Sequence, residues 1–273
     1  MVFLSEIIHD PLLRRYRSMG TGLAVIVYLY LLLPILVTIP MAFGPTNALT
    51  FPPESYSFAL FEIFFSSADW LNPLFQSLKV AVATAALAML AGVPAGYWIA
   101  RHEFAGKGLV TGLIMGPMIV PHIVTALGLY LYFSYFRISG TTLSIVLGHV
   151  MVTLPFVIVI IVAGVNKLDR NLEFGAELMG AGPMRMFLTV VIPQLVPSLV
   201  SAAFFAFLLS FDEVIISLFL AGPGNVTLPV KMYTALQWEL SPVIAAVSTL
   251  LTAISLLATI VAIASRKGSS VDL

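Results

Sequence analysis

Two adjacent acids near the end of an apolar run are the first candidates for chemistry. Asp212 and Glu213 are the only carboxylates inside a predicted membrane span, where an ionisable group costs about 2.5 to 3.5 kcal/mol on insertion scales. Such groups normally face a cavity or a partner. Neighbouring residues on one helix point about 100° apart, so one acid can line a path while the other binds a neighbour. Phe207 and Phe211 lie on adjoining turns, and aromatic faces beside a carboxylate suit an organic cation.

A structural role is the alternative for this acidic pair. Either acid would then pair with Lys231 or Arg137, or cap the broken end of the span. Tyr233 and Trp238, further along the chain, are typical of aromatic anchors at a membrane surface. A gate that touches the solute is the other interpretation of these two aromatic residues. The sequence leaves both choices open.

The polar stretch 167–185 is the second candidate site. It reads KLDRNLEFGAELMGAGPMR and separates two long apolar runs, so it must be a loop between membrane spans. Its small residues, and the break before Pro183, predict two short surface helices joined at Gly182. Small residues let another backbone approach closely, and Met179 and Met184 offer apolar side chains to a partner's groove. The stretch is therefore predicted to be a docking site.

At this stretch the chain resembles a known family. The cytoplasmic signature of ABC importer permeases is Glu-Ala-Ala, three residues, Gly, nine residues, then Ile, any residue, Leu-Pro. Ala176 matches the second alanine, Gly180 matches the glycine, and the closing pattern also fits. Two positions depart from it, because Phe174 stands where the family has glutamate and Gly175 where it has the first alanine. Glu173 lies one residue earlier and is the nearest carboxylate.

The resemblance implies an all-α integral membrane fold with the six transmembrane helices of a type I importer permease. Coupling helices are expected between helices 4 and 5, in segment 167–190. The implied partners are a second, different permease subunit, two copies of a cytosolic ATPase and a periplasmic substrate-binding protein. Glu173 and Arg185 are expected to make the main polar contacts with the ATPase. The complete expected coupling set is Glu173, Gly175, Ala176, Gly180, Ala181, Pro183 and Arg185.

Composition independently predicts a membrane protein. Hydrophobic residues make up 60% of the chain and charged residues only 10%, and 273 residues leave room for about six spans. The absence of cysteine excludes disulfides and thiolate chemistry. No phosphate-binding glycine-rich loop followed by Lys and Ser or Thr occurs. The chain is therefore not predicted to be an enzyme or to bind a cofactor, and ATP and Mg²⁺ would belong to the partner ATPase.

The apolar runs give the predicted boundaries. Residues 1–19 form a cytoplasmic lead-in, 20–43 the first span, 44–69 an external loop, 70–265 a permease core with five spans, and 266–273 a cytoplasmic tail. The core spans are expected at 72–100, 108–136, 141–165, 194–221 and 241–264. Pro117 and Pro121 are expected to kink the third span.

Basic residues predict the orientation. With both termini inside, the cytoplasmic side holds ten Lys and Arg residues: Arg14, Arg15, Arg17, Arg101, Lys107, Lys167, Arg170, Arg185, Arg266 and Lys267. The outside and its margins hold three: Lys79, Arg137 and Lys231. The positive-inside rule favours this arrangement, which puts segment 167–190 in the cytosol. The family resemblance places the chain in the bacterial inner membrane.

Residues 210–236 look like the permease branch that imports spermidine and putrescine. The acidic pair, a Gly-Pro dipeptide, and the Leu-Pro-x-Lys-x-Tyr pattern from Leu228 to Tyr233 carry this likeness. It implies a polyamine or similar small organic cation as cargo. The expected path residues are Asp212, Glu213, Phe211, Phe207, Tyr233 and Trp238. The alternatives are an ABC permease for another small solute, an ion-coupled secondary transporter, or a membrane scaffold that transports nothing.

Glycine repeats and histidines receive structural interpretations. Glycines at four-residue spacing predict close helix packing in two places, at Gly92 and Gly96 and at Gly108, Gly112 and Gly116. The histidines are scattered without metal-ligand spacing, so we expect ordinary hydrogen-bonded side chains. They are His9, His102, His122 and His149.

Overall fold

A computed structural model describes residues 11–267, with side chains described for residues 20–257. His9 and residues 268–273 lie outside this range, as do the side chains of Arg14, Arg15, Arg17, Arg266 and Lys267. The described residues form helices joined by turns and loops and contain no strand, which confirms the all-α prediction. The helices are α1 (Pro11–Met41), α2 (Ala59–Ser66), α3 (Ala68–Arg101), α4 (Lys107–Ile119), α5 (His122–Tyr135), α6 (Thr142–Val165), α7 (Arg170–Leu178), α8 (Pro183–Met186), α9 (Ile192–Phe211), α10 (Ile215–Leu220), α11 (Leu228–Thr234) and α12 (Val243–Lys267).

The chain divides into two compact units, and residues 68–234 form the larger one. Its centre is the packing of three long helices, α3, α6 and α9. Apolar side chains from these helices, such as Ala88, Val157 and Leu195, form one buried cluster. Because these helices are apolar over most of their length, they pack through small residues and branched aliphatic side chains.

The glycine repeat of α3 has the predicted packing role. A methyl group at Gly92 would lie 2.6 Å from Val157 Cγ1, and one at Gly96 would lie 2.9 Å from Ile161 Cγ2. The absence of side chains therefore lets α6 approach α3 closely. The repeat of α4 differs from the expectation. A methyl group at Gly108, Gly112 or Gly116 would meet no described atom within 4 Å, so this face packs against nothing in the described chain.

The third predicted span is broken rather than kinked. Helices α4 and α5 meet at an angle of 102°. Val120 has an extended backbone (φ −74°, ψ 131°), as does Pro121 (φ −53°, ψ 132°). The ring of a proline disfavours the helical conformation in the residue before it, which explains why the helix ends here. The kink predicted in the span 108–136 is therefore a complete break between two helices.

The fifth predicted span, 194–221, has the wrong limits at both ends. A continuous helix of 29 residues runs from Pro183 to Phe211 and combines α8, a π-helical turn (Phe187–Val191) and α9. It ends at Asp212, and α10 begins after a short break. The second helix of the polar stretch is therefore the beginning of a long apolar helix.

Residues 11–67 and 235–267 form the second unit. It contains α1, α2, a π-helical turn (Ala235–Glu239) and α12. Helix α12 packs against α1 and α2. The predicted external loop 44–69 thus contains a helix, and the second predicted span begins at Ala68 rather than at residue 72.

The predicted number of six membrane spans is not confirmed. Among the described residues, four helices are long and apolar enough to cross a membrane: Gly20–Met41, Ala68–Arg101, Thr142–Val165 and Pro183–Phe211. The bent pair of α4 and α5 would make a fifth. In α12 the described apolar part, Val243–Leu257, is shorter than a span. The sixth span stays a prediction.

Candidate functional site

The polar stretch forms the predicted helix-turn-helix. Asp169 caps α7, since its Oδ1 accepts a hydrogen bond from the Asn171 amide at 2.9 Å. After α7 the chain turns at Gly180, whose φ of +84° lies in the left-handed region that favours glycine. Gly182 precedes the next helix, and Pro183 is its first residue. We call α7, this turn and α8 the coupling segment.

Large apolar side chains of the coupling segment face outward. Leu178 is 90% exposed, Met179 is 85% exposed and Met184 is 70% exposed. Arg185 is exposed beside them. Methionine and leucine in this arrangement form an adaptable apolar surface for a partner.

Glu173 faces the other way and belongs to a buried ionic network. Its Oε1 accepts hydrogen bonds from Arg101 Nε, at 2.9 Å, and from Arg101 Nη2. Its Oε2 accepts one from the Tyr97 hydroxyl at 2.8 Å. Arg101 Nη2 also donates to the Leu168 carbonyl at 3.3 Å. We call these four residues the Glu173 network.

The Glu173 network lies where several elements meet. The side chain of Arg101 is 11% exposed and that of Glu173 is 8% exposed. The Tyr97 ring packs against Phe187, the first residue of the π-helical turn, with ring centroids 5.0 Å apart. The network thus joins the end of α3, the link before α7, α7 itself and the beginning of the long helix.

These positions sort the predicted coupling residues into three groups by exposure. Gly180, Pro183 and Arg185 lie on the surface, and Gly175 and Ala181 are half-buried. Glu173 and Ala176 are the two buried residues of α7. The expectation that Glu173 is a main polar contact with the ATPase therefore disagrees with its position, because its carboxylate is already satisfied inside the chain.

The second predicted pair, Asp212 and Glu213, lies at the break between α9 and α10. Glu213 is buried, and its Oε1 accepts a hydrogen bond from the Ile216 amide at 3.0 Å, which caps α10. Its Oε2 lies 3.1 Å from His122 Nδ1, at the beginning of α5. Asp212 is exposed. Glu213 therefore binds a neighbouring side chain, which is that of His122 rather than Lys231 or Arg137.

Two further polar and aromatic features lie near this break. The ring nitrogens of His149 are hydrogen-bonded to Ser210 Oγ, at 2.8 Å, and to Ser217 Oγ, at 2.9 Å. This buried histidine thus joins α6, α9 and α10 as an ordinary hydrogen-bonded residue. Phe207 and Phe211 stack with their ring centroids 5.9 Å apart and are half-buried.

The other predicted path residues lie further along the chain. Tyr233 is 44% exposed on α11, and Trp238 is 85% exposed in the π-helical turn of the second unit. A turn at Gly222, closed by a hydrogen bond from the Asn225 amide to the Gly222 carbonyl, precedes the short helix α11.

A polar cavity that the sequence analysis missed lies in the larger unit, between the first half of α3 and the segment around α11. Its volume is about 640 Å³. Its polar and charged lining residues are Asp69, Asn72, Gln76, Lys79, Lys231 and Thr234. On α3 these residues recur every three or four positions, which places them on one face of an otherwise apolar helix.

The partners of the two buried acids were also missed. Arg101 and Tyr97 are four residues apart at the end of α3, so a polar face at the end of an apolar helix was the available signal. His122 follows Pro121 directly, and a titratable residue at a proline break was the signal there.

Together, the apolar helices, the broken spans and the exposed helix-turn-helix define a membrane permease. The chain belongs to the family of binding-protein-dependent transport system inner membrane components, whose model matches residues 92–268. The family predicted from the sequence is therefore confirmed. Members are permease subunits of transport systems.

Named relatives agree with this family. The spermidine/putrescine transport system permease protein PotC of Escherichia coli (strain K12) is 27% identical over 240 residues, covering 88% of this chain and 90% of that protein. The putrescine transport system permease protein PotI of the same strain is 31% identical over 182 residues, covering 64% of this chain and 65% of that protein. The molybdate/tungstate transport system permease protein WtpB of Pyrococcus abyssi (strain GE5 / Orsay) is 35% identical over 144 residues, covering 53% of this chain and 58% of that protein.

A solved structure supports the fold. A chain of a bacterial ABC transporter involved in the import of the acidic polysaccharide alginate superimposes with a TM-score of 0.74 at 14% identity, covering 96% of this chain and 99% of that one. A second structure shows the bacterial alginate ABC transporter in complex with an alginate pentasaccharide-bound periplasmic protein, with a TM-score of 0.66 at 15% identity and coverage of 95% and 97%. At this identity the likeness concerns the fold.

Proposed function

We propose that this chain is the permease subunit of an ATP-driven importer and that the coupling segment docks onto a cytosolic ATPase. The observation that carries the proposal is the exposed apolar surface formed by Leu178, Met179 and Met184. Three large apolar side chains on a charged, water-facing segment are costly unless a partner covers them. The positive-inside rule places this surface in the cytosol, where ATP is available.

The continuous helix from Pro183 to Phe211 supplies a mechanical connection. With 29 residues and about 1.5 Å per residue, it extends about 43 Å from the coupling segment to the break at Asp212. The helix is unbroken over this length, although the π-helical turn and Pro197 lie within it, so a displacement of its first turn would be carried towards the acidic pair. Alternating access would follow as the long helices tilt against those of a second permease.

The assembly would contain this chain, a second permease subunit, two copies of the ATPase and a periplasmic binding protein. Both termini would lie in the cytoplasm. The family description names binding-protein dependence, and the alginate transporter of similar fold was solved with a periplasmic protein. The ATPase subunits would bind ATP and Mg²⁺ and carry out hydrolysis.

The proposed cargo is a polyamine or a similar small organic cation. Asp212 is an exposed carboxylate that directly follows Phe211, whose ring stacks on that of Phe207. A carboxylate together with aromatic faces binds ammonium groups well. The relatives PotC and PotI are permeases of spermidine and putrescine transport systems.

An oxyanion is the second candidate cargo. Lys79 and Lys231 line the cavity of the larger unit together with one acid, Asp69, and two lysines against one carboxylate favour an anion over a polycation. The relative WtpB belongs to a molybdate/tungstate system. Uptake of labelled spermidine and of labelled molybdate by the same assembled transporter distinguishes the two cargoes.

Substitution of the exposed apolar residues tests ATPase docking. Replacing Leu178 and Met184 with Asp leaves the fold intact, because neither side chain is buried, but should abolish copurification of the ATPase and ATP-driven uptake. Ala105→Asp is the matched control, since Ala105 is exposed in the other predicted cytoplasmic turn. Gly180→Trp is a weaker test, because the φ of +84° at Gly180 makes any side chain there strain the turn itself.

The same experiment separates an ABC importer from a secondary transporter. Uptake that continues without the ATPase but stops with an ionophore would select ion coupling. A chain that binds its soluble partner but moves no solute in reconstituted vesicles would be a scaffold. Normal ATP-driven uptake by the Leu178→Asp/Met184→Asp variant would contradict the proposed docking site.

A further inference from the structure

Helix α7 has very little buried surface with which to hold its place. Of its nine residues only Glu173 and Ala176 are buried. Ala176 contributes a single methyl group. The chain turns immediately before α7, at residues 166–169, and again after it, at residues 179–182. Helix α7 also packs against the π-helical turn of the long helix, but it is the Glu173 carboxylate that hydrogen-bonds α7 to α3.

The geometry of this attachment is that of a fixed joint. Both oxygens of Glu173 are used, since one accepts from the Arg101 guanidinium and the other from the Tyr97 hydroxyl. Arg101 also binds the Leu168 carbonyl in the link before α7. A planar guanidinium and a carboxylate held by several hydrogen bonds at once resist rotation, whereas a single exposed ion pair does not.

We propose that the Glu173 network locks α7 to the end of α3, so that the coupling segment and α3 move as one body when the ATPase pulls. Glu173, Arg101 and Tyr97 are then positioning residues for coupling, and none of them contacts the ATPase. The inference rests on the proposed function and specifies how the motion enters the bundle. Tyr97 extends the lock to the long helix, because its ring packs against Phe187.

Loss of the lock should raise the ATP cost of import without preventing the ATPase from binding. The apolar docking surface of Leu178, Met179 and Met184 does not include the network, so the ATPase still binds and still hydrolyses ATP. Helix α7 then swings about its two flanking turns, and the motion is lost before it reaches α3. More ATP is hydrolysed per solute imported, and the amides of residues 170–178 exchange hydrogen faster.

The chain offers a matched control pair. Lys107 and Glu103 form an ion pair at 2.8 Å in the neighbouring turn, and the side chain of Glu103 is 89% exposed. This pair is close in sequence to Arg101 and similar in charge, but it joins nothing to α7. Glu103→Gln therefore removes a comparable carboxylate without loosening the coupling segment.

The test uses the intact transporter reconstituted in vesicles with its ATPase, second permease and loaded binding protein. The probe is spermidine, or molybdate where the native complex imports that ion instead. ATP hydrolysed per probe molecule imported should rise at least about fivefold for Glu173→Gln, less for Glu173→Asp, which keeps the charge, and not for Glu103→Gln. Hydrogen exchange in residues 170–178 should accelerate in the same order.

A second variant covers the case in which Glu173→Gln does not accumulate in the membrane. Arg101→Gln combined with Glu173→Gln removes both charges and leaves no buried charge without a partner. This neutral pair should accumulate and remain uncoupled. Native coupling in either variant would overturn the proposal. A neutral pair that fails to accumulate would make the network a folding requirement rather than a coupling device, which also overturns it.

Import by the native complex tests the proposed function, and the comparison with Glu173→Gln tests the lock. A native complex that shows no ATP-driven import of either probe counts against the importer itself. A native complex that imports the probe, with Glu173→Gln importing it at the same ATP cost, counts against the lock alone.

Discussion

Two buried glutamates in this chain are held in different ways. Glu173 is satisfied by Arg101 and Tyr97, and the Arg101 side chain is almost as buried as the acid. Glu213 is satisfied by the backbone of α10 and by His122, whose side chain is 43% exposed. An arginine is always charged and binds a carboxylate through a planar fork of donors, whereas an imidazole offers at most one donor at each ring nitrogen.

The difference separates a nearly buried ionic contact from one that solvent can reach. At Glu173 the partner is an arginine, whose charge is permanent, and both side chains are nearly buried. At Glu213 the partner is an imidazole whose side chain is 43% exposed, and exposed Asp212 is the residue directly before this acid. If the cargo is a polyamine, as proposed, the exposed Asp212 carboxylate is the more accessible one for its ammonium groups.

The largest effect is expected from Glu173→Ala. Removing one member of a buried ion pair costs about 3 to 5 kcal/mol, because it leaves Arg101 as a largely buried charge without a carboxylate partner. Thermal unfolding of the purified chain in detergent should show a large loss of stability. Glu103→Ala, in the exposed pair, should change the free energy of unfolding by less than about 1 kcal/mol. Equal effects for both substitutions would remove the distinction between the two sites.

A smaller loss of stability is expected from Glu213→Ala. This change removes the cap of α10 and the contact with His122, which together should cost about 1 to 2 kcal/mol. His122 is half exposed and can be hydrated, so the penalty seen at Arg101 does not arise. A stability loss as large as that of Glu173→Ala, measured by the same unfolding experiment, would show that the Glu213 contact is as rigid as the other.

Asp212→Asn should leave stability nearly unchanged but weaken transport. The side chain is exposed, and surface substitutions usually change stability by less than about 0.5 kcal/mol. A hydrogen bond to a charged group contributes about 1.5 to 3 kcal/mol, so the KM for spermidine uptake should rise about tenfold or more. An unchanged KM together with unchanged unfolding would exclude Asp212 from the solute path.

The smallest effect is expected from Phe174→Glu, which restores the glutamate of the family signature. Phe174 is 48% exposed, and Arg170 lies over its ring at 5.3 Å. Glu at this position would pair with Arg170 instead, so stability should change by less than about 0.5 kcal/mol. Because residue 174 faces away from Arg101, this change should not rescue Glu173→Gln. A rescue in the uptake assay would show that the two positions are interchangeable.

The parts of the structure that depend on local chemistry were predictable from the sequence. Proline is favoured at the first position of a helix, which explains the start at Pro183 after Gly182. A polar stretch between apolar runs has to leave the membrane. Both preferences depend on a few neighbouring residues, so they can be read from the sequence. The ion pairs were not predictable. Arg101 and Glu173 are 72 residues apart in the chain, and their meeting depends on how α3 and α6 pack.

The positions at which helices break could not be predicted from the sequence alone. Pro121 was recognised, but whether a proline kinks or ends a helix depends on the surrounding packing. At residues 212–214 no proline is present, and the helix ends because Glu213 caps a new one. The cavity near Lys79 was missed for a similar reason, since it needs the segment around α11 to fold back against α3.

Site-specific cross-linking tests the coupling segment most directly, because the chain has no cysteine and a single introduced one is unambiguous. Leu178→Cys should form a cross-link with the ATPase in the assembled transporter, and ATP should change its yield. Ala105→Cys, in the other predicted cytoplasmic turn, should give little or none. If the ATPase is captured at residue 105 but not at residue 178, or at neither in a complex that still transports, the coupling segment does not receive the motion.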